Sequence, residues 1–477
     1  MLWYLVKRWG GETKALVLYS PRRGRLPQCS RHTPVEARTF RNSMNDRTFG
    51  FATRAIHAGT PPDPVTGARA APIYQSSAFV FGSTEEAAEL FALRGYGHIY
   101  SRISNPTVAS FEERMASLEG GLGAVAFSSG LAAQLAVVLA LARNGDHILC
   151  SQNVYGGTIT QFSITLERMG IAVTFVPLDD PKRLRAALRP ETKLLFVETI
   201  GNPSGSIAEL SELAAFAHEN GFPLVVDNTF ASPYCCRPIE FGADIVVASA
   251  TKFICGHGTT VGGIVVDAGR FDYGSARFPL LSEPSRGYHG KVFTETFGEY
   301  AFLMRLRAEI LRDVGAQLGA HDAWLLLQGL ETLPLRMERH LANARTVAQH
   351  LEGHTDVLWV RHPGLPSHPD HARAARYLPR GAGSVFTFGI RGGRDAGRRF
   401  IDALELWSHL ANVGDAKSLV IHPASTTHSQ LSDEEMLAAG VAPEAIRLSV
   451  GLEDSDDLIW DIDRALARAH SDKAVIR

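Results

Sequence analysis

Between about Val125 and Val266 the chain repeats one pattern: a short apolar run, a polar edge, then a stretch suited to a helix. The runs read "AVAFSS", "HILCS", "AVTFVPL", "KLLFVET", "PLVVDNTF", "DIVVASA" and "GGIVV". Strands this uniformly apolar are buried on both faces, and the spacings between them suit crossover helices. The pattern therefore predicts an α/β fold built on a large, mainly parallel sheet. In such sheets ligands gather at the carboxyl ends of the strands, where these runs turn polar.

At 477 residues the chain exceeds one ordinary core, and its 45% hydrophobic content excludes a disordered protein. A formal charge of -2 and a pI of about 6.8 give no footprint for nucleic acid or an acidic membrane. A small-molecule ligand is expected. The segment "GAVAFSSGLAAQLAVVLALA" is apolar enough to imitate a membrane span, yet Ser128, Ser129 and Gly130 divide it into a strand and a helix of ordinary length.

The five cysteines, Cys29, Cys150, Cys235, Cys236 and Cys255, show no CxxC and no metal-ligand spacing. Neither a disulfide framework nor a metal site is expected, and reduced thiols fit a cytoplasmic protein. His362, His368 and His371 stand among Pro and Gly and read as solvated loop histidines. Residues 1–43 are rich in Arg and Lys, poor in acids and without sustained periodicity. They read as a leader or an early start, expected to be disordered, since "MNDRTFGFATRAIHAG" from Met44 resembles a natural beginning.

Beyond Asp267 an aromatic, Pro- and Gly-containing passage precedes "HDAWLLLQGLETLPLRMERHLANARTVAQHLEG", which has helical apolar spacing and ends at a Gly. Strands such as "SVFTFGI" and "AIRLSVGLE", with the helix "DDLIWDIDRALARAH", then predict a smaller C-terminal α/β domain.

One run asks for a chemical explanation. "DIVVASATKF" carries a buried-looking strand into Lys252, and an ammonium there is costly unless it is paired, solvated or converted to an imine. Ser249 and Thr251, with Ser129, Gly130 and Leu131 at a strand-to-helix turn, offer hydroxyls and helix N-terminal amides for a phosphate. Asp227 ends "PLVVD" and can pair with a protonated pyridine nitrogen; Tyr155 in "QNVYGGT" can lie over such a ring. Each has an ordinary reading alone, as a turn, a cap or a core aromatic. In this order on the edges of one sheet, they describe a pyridoxal 5'-phosphate site of the large aspartate-aminotransferase-like fold (fold type I).

From about Phe51 to His470 the sequence resembles the cystathionine γ-synthase-like family of Cys/Met-metabolism enzymes. The resemblance rests on "YSRISNPT", "SSGLAA", "VYGGT", "ETIGNPSG", "VVDNTF", "SATKF" and "IRLSVGLE". It implies that Lys252 binds the cofactor as an imine and shuttles protons together with Tyr155, that Asp227 meets the ring nitrogen, and that Tyr155 stacks on the ring. It further implies that Ser129, Gly130, Leu131, Ser249 and Thr251 hold the phosphate, and that Asn202 touches the phenolic oxygen with Thr229 nearby. Tyr100 and Arg102 are implied to reach the cofactor of a neighbouring subunit, which makes a dimer the smallest active unit and a tetramer the expected assembly. Arg447 matches the substrate-carboxylate arginine; Tyr100 and Asn412 are the other expected substrate contacts, Asn412 standing where many relatives carry Ser.

The resulting divisions are 1–43, an arm at 44–105 reaching a partner subunit, a cofactor-binding domain at 106–305 and a C-terminal domain at 306–477. Within the family, "FGSTEEAAELFALRGYGHIYSR" and the insertion around "RFPLLSEPSRGYHG" resemble O-acetylhomoserine sulfhydrylases, and Gly157 stands where γ-lyases tend to carry Cys. The implied activity is replacement of the acetate of O-acetyl-L-homoserine by sulfide, in methionine biosynthesis. A cystathionine γ-synthase or methionine γ-lyase shares the same cofactor residues, and a non-catalytic pyridoxal-binding regulator is a more remote alternative. A nucleotide-dependent dehydrogenase fails, because the glycines of "GGLGAVA" precede a strand instead of joining strand to helix.

Overall fold

The apolar runs become the strands of one seven-stranded sheet. The computed structural model describes residues 47–426 and 442–471 and, before them, only two paired strands, Leu5–Trp9 (β1) and Glu12–Leu16 (β2). That hairpin stands where the sequence shows no sustained periodicity; the rest of residues 1–43, with Cys29, lies outside the described residues.

The main sheet comprises Gly123–Phe127 (β3), His147–Ser151 (β4), Ala172–Val176 (β5), Thr192–Glu198 (β6), Leu224–Asp227 (β7), Ile245–Ser249 (β8) and Gly263–Asp267 (β9), in the order β3-β9-β8-β7-β6-β4-β5. From β8 through β5 neighbours run parallel, while β9 is antiparallel to both β3 and β8. Branched Val and Ile at successive positions suit strands covered on both faces, and β4, β6 and β9 are buried along their whole length. The membrane-like segment resolves into β3 and the helix Gly130–Leu141, capped by Ser129, whose hydroxyl accepts the Ala132 amide at 3.1 Å.

The long helical pattern after His321 is two helices, Ala320–Glu331 and Leu333–Glu352. Pro334 has no amide hydrogen to donate, so it is accommodated in the first turn of a new helix rather than inside a continuous one. Beyond it lies a five-stranded sheet of Val357–Arg361 (β10), Val385–Ile390 (β11), Ser408–His409 (β12), Leu419–Ile421 (β13) and Ala445–Ser449 (β14), ordered β10-β11-β14-β13-β12. Phe386, Phe388, Ile446 and Leu448 of this sheet pack with Phe400, Ile462 and Leu466 from its covering helices to form a second core. Both sheets belong to one compact unit, Thr48–Arg477.

The histidine expectation needs correction. His362 and His368 are 2% and 7% exposed, not solvated. His362 is held by the Gly383 carbonyl at 3.2 Å, and burial pushes its pKa down to about 4, so it stays neutral in the core. His371 begins the helix His371–Tyr377.

Candidate active site

The strand β8 runs to Ser249 and then turns, the Lys252 amide donating to the Ser249 carbonyl at 3.2 Å. This places the Lys252 side chain at the carboxyl edge of the sheet, where its ammonium donates to Asn412 Oδ1 at 2.5 Å. Asn412 arrives on the segment between β12 and β13, which comes close because of Gly414. That glycine has φ of +74°, and a Cβ there would stand 2.8 Å from the Phe253 nitrogen. Burial, and then the nearby Arg447 cation, lower the Lys252 pKa, so less energy is needed to free the amine of its proton. Asn412, expected as a substrate contact, is thus also the partner of Lys252.

Arg447 comes from the middle of β14, between Thr387 of β11 and Ile421 of β13. Its backbone is fixed on both sides, so the guanidinium is carried on a rigid element. It faces the same cavity as Lys252, a space of about 340 Å³ between the two sheets.

Asp227 ends β7 and lines the same cavity. The Thr229 amide and hydroxyl donate to its Oδ1 at 2.9 Å and 2.5 Å. Burial nevertheless raises its pKa to about 6, a cost that a cationic partner in the cavity offsets. Ser129, Gly130 and Leu131 line it as well, with Ser249 and Thr251. The first amides of a helix have no intrahelical acceptor, and here they open onto the cavity. A Cβ on Gly130 would stand 2.7 Å from the Ser249 Cβ, so the close approach of helix and strand requires glycine.

Tyr155 and Asn202 also line the cavity, with Thr229. Tyr155 is 49% exposed, its amide donating to Glu198 Oε1 at 2.6 Å. Glu198, Gln134, Ile200, Phe230 and Val261 are lining residues that the motif reading did not single out. Glu198 is the last residue of β6, and the register sets it beside Asp227.

Tyr100 and Arg102 are not brought to this cavity. Tyr100 is 42% exposed, the Arg102 guanidinium lies 5.3 Å from the centre of its ring, and Arg102 also donates to the Arg312 carbonyl.

These residues fit pyridoxal phosphate. A phosphate-seeking helix end, a buried carboxylate and a lysine of lowered pKa share one cavity, and each answers a different part of that cofactor. Residues 52–467 match the family model described as Cys/Met metabolism PLP-dependent enzyme. The chain belongs to this family. Over 419 residues it is 50% identical to the Homocysteine synthase of Schizosaccharomyces pombe, covering 87% of this chain and 98% of that one. It is also 50% identical to O-acetyl-L-homoserine sulfhydrylase 1 of Thermus thermophilus, covering 87% and 100%. A crystal structure of an O-acetylhomoserine (thiol)-lyase from Campylobacter jejuni, bearing a pyridoxyl-lysine phosphate, superposes with a TM-score of 0.85. It is 37% identical and covers 88% of this chain and all of that one. Pyridoxal phosphate is therefore the cofactor of this family member, and the fold is the one that carries it.

Proposed function

We propose that this chain exchanges the acetate of O-acetyl-L-homoserine for sulfide, releasing L-homocysteine and acetate. The observation that carries the reading is one cavity lined by both Lys252 and Arg447, in a chain half identical to a named sulfhydrylase and a homocysteine synthase. The bound cofactor supplies an electron sink for the carbanion formed when the substrate α-proton leaves.

Every other part of the work falls to the chain. The Arg447 fork takes the substrate α-carboxylate and fixes which bonds face Lys252. Lys252, its pKa already lowered, accepts the α-proton and returns protons later, with Tyr155 as the second group for these transfers. Asn412 holds the Lys252 nitrogen between transfers. Asp227 would pair with the ring nitrogen, Tyr155 would cover the ring, and Asn202 would meet the phenolic oxygen, with Thr229 supporting Asp227. Ser129, Gly130, Leu131, Ser249 and Thr251 would hold the phosphate.

Acetyl is favoured over succinyl because Arg447 is the one arginine among the described residues lining the cavity. A succinyl ester brings a second carboxylate that needs its own cation. Tyr100 and Arg102 complete the site of a second copy, Tyr100 also meeting its substrate. The arm 44–105 carries them across, followed by a cofactor domain to 305 and a C-terminal domain from 306. A dimer is then the smallest active unit, with a tetramer as the full assembly. A cytoplasmic location accords with the lack, among described residues, of any helix long and apolar enough to cross a membrane.

Comparing kcat/KM for O-acetyl- and O-succinyl-L-homoserine with sulfide and with cysteine, and for methionine alone, tests the reading. Acetyl ester with sulfide should lead; faster use of the succinyl ester, cystathionine as main product, or dominant methanethiol release would overturn it.

A further inference from the structure

Two carboxyl groups stand side by side in the cavity wall, and the reaction as read above uses only one. Glu198 and Asp227 are the paired terminal residues of the parallel neighbours β6 and β7, and both line the cavity. In a parallel pair such neighbours project on the same face, so the two acids crowd one low-dielectric spot and cannot both be charged at ordinary cost. Glu198 has a further attachment: it accepts the Tyr155 amide at 2.6 Å, and the Asn202 amide also faces it. It thereby joins the edge of β6 to the two segments that bear Tyr155 and Asn202.

We propose that Glu198 is a positioning residue: as a neutral carboxylic acid it holds the Tyr155 and Asn202 segments and leaves the pair's single negative charge to Asp227. Burial, followed by the charge of Asp227, pushes the Glu198 pKa well above the usual carboxylate range, whereas Asp227, aided by two Thr229 hydrogen bonds, rises only to about 6. The proton thus belongs on Glu198. A neutral acid keeps a carbonyl oxygen for the amide of Tyr155 without competing with Asp227 for a cation in the cavity. The Tyr155 ring also lies close against the backbone two residues on. Gly157 carries no Cβ, and one there would stand 2.3 Å from the Tyr155 ring.

This inference rests on the assignment of Asp227 to the cofactor ring, and its test is independent of which ester is the substrate. Glu198→Gln keeps an accepting oxygen and neutrality; Glu198→Ala removes the acceptor. Full-length protein of each variant is compared, with and without cofactor, by hydrogen exchange of the peptide containing Tyr155, by infrared difference spectra of the protonated carboxyl band, and by kcat and KM separately.

The neutral role requires that Glu198→Gln retain exchange protection and kcat within about threefold, with a protonated carboxyl band missing relative to the parent. Glu198→Ala should speed exchange at Tyr155 and lower kcat by about tenfold, the effect of one buried hydrogen bond. Equal damage from Gln and Ala means that charge on Glu198 is needed, and full activity in both means that it anchors nothing. Either result overturns the proposal, as does a carboxyl band that persists in Glu198→Gln. Should Glu198→Ala fail to fold, the Gln variant and its infrared spectrum still decide.

Discussion

Two groups of residues proposed to serve the cofactor have different surroundings. Gly130, Ser249 and Thr251 converge with Lys252 on one cavity, at contacts so close that Gly130 admits no side chain. Tyr100 and Arg102 lie outside that cavity, stacked on each other, with Arg102 turned to the carbonyl of Arg312. The first group is assembled by strand order within a single chain. The second can serve a cofactor only if it meets a different cavity, which in the proposed assembly belongs to a second copy of the same chain. The difference separates what one fold must build rigidly from what an assembly can add.

The sharpest break of the comparison is at Lys252. Lys252→Ala should lower turnover by about four orders of magnitude or more while the fold persists, because the nitrogen that moves protons is lost and the phosphate contacts remain. Stopped assays together with circular dichroism check this; turnover within tenfold of the parent would remove Lys252 from the chemistry. Arg447→Ala should be next, with kcat/KM reduced by about a thousandfold, since a charge-assisted fork to a buried carboxylate is lost. Lysine at this position should recover little, for it cannot reproduce the planar fork.

Arg102 sharpens the comparison at a smaller effect. Arg102→Ala should reduce activity by about a hundredfold at limiting cofactor, the scale of a lost bond to a charged group. Co-refolding it with Lys252→Ala chains should then restore one intact site per mixed dimer. The Arg102→Ala chain contributes its lysine and the other chain contributes its arginine. If verified mixed dimers remain inactive, Arg102 acts within its own chain and the contrast drawn above disappears.

How much of this was legible in the sequence follows the same division. The apolar runs located the main-sheet strands because burial on both faces leaves little choice of residue, and "HILCS" coincides with β4 from end to end. The site residues on those edges were legible for the same reason: strand ends fix where Asp227 and Lys252 emerge. Glu198 was passed over because its partner, Asp227, becomes adjacent only through the β6–β7 register, which no local pattern contains. The histidines at His362 and His368 were misread because Pro and Gly nearby suggest solvent, whereas both are buried, His362 against Phe386 of the second sheet; that is a tertiary effect. The bond from Lys252 to Asn412 spans 160 residues and likewise has no local signal.

The smallest expected effect is on stability and tests the rigid half of the comparison alone. In the cofactor-free protein Asp227 has its pKa raised from 3.8 to about 6, burial outweighing the Thr229 hydrogen bonds. The folded chain therefore binds this proton more tightly than the unfolded one. Its contribution to stability is full below about pH 4 and is lost as pH rises through about 6. A shift of this size bounds the change at about 3 kcal/mol. Urea unfolding across this range should show the decline, and Asp227→Asn should flatten it. Bound cofactor should abolish the decline, because a cationic ring nitrogen favours the charged carboxylate and leaves folded and unfolded chains alike deprotonated over this window. Arg102→Ala, acting at another chain's site, should leave the cofactor-free profile as it was. A profile altered by Arg102→Ala but not by Asp227→Asn would mean that the edge of the sheet is held by the arm rather than by its own strands.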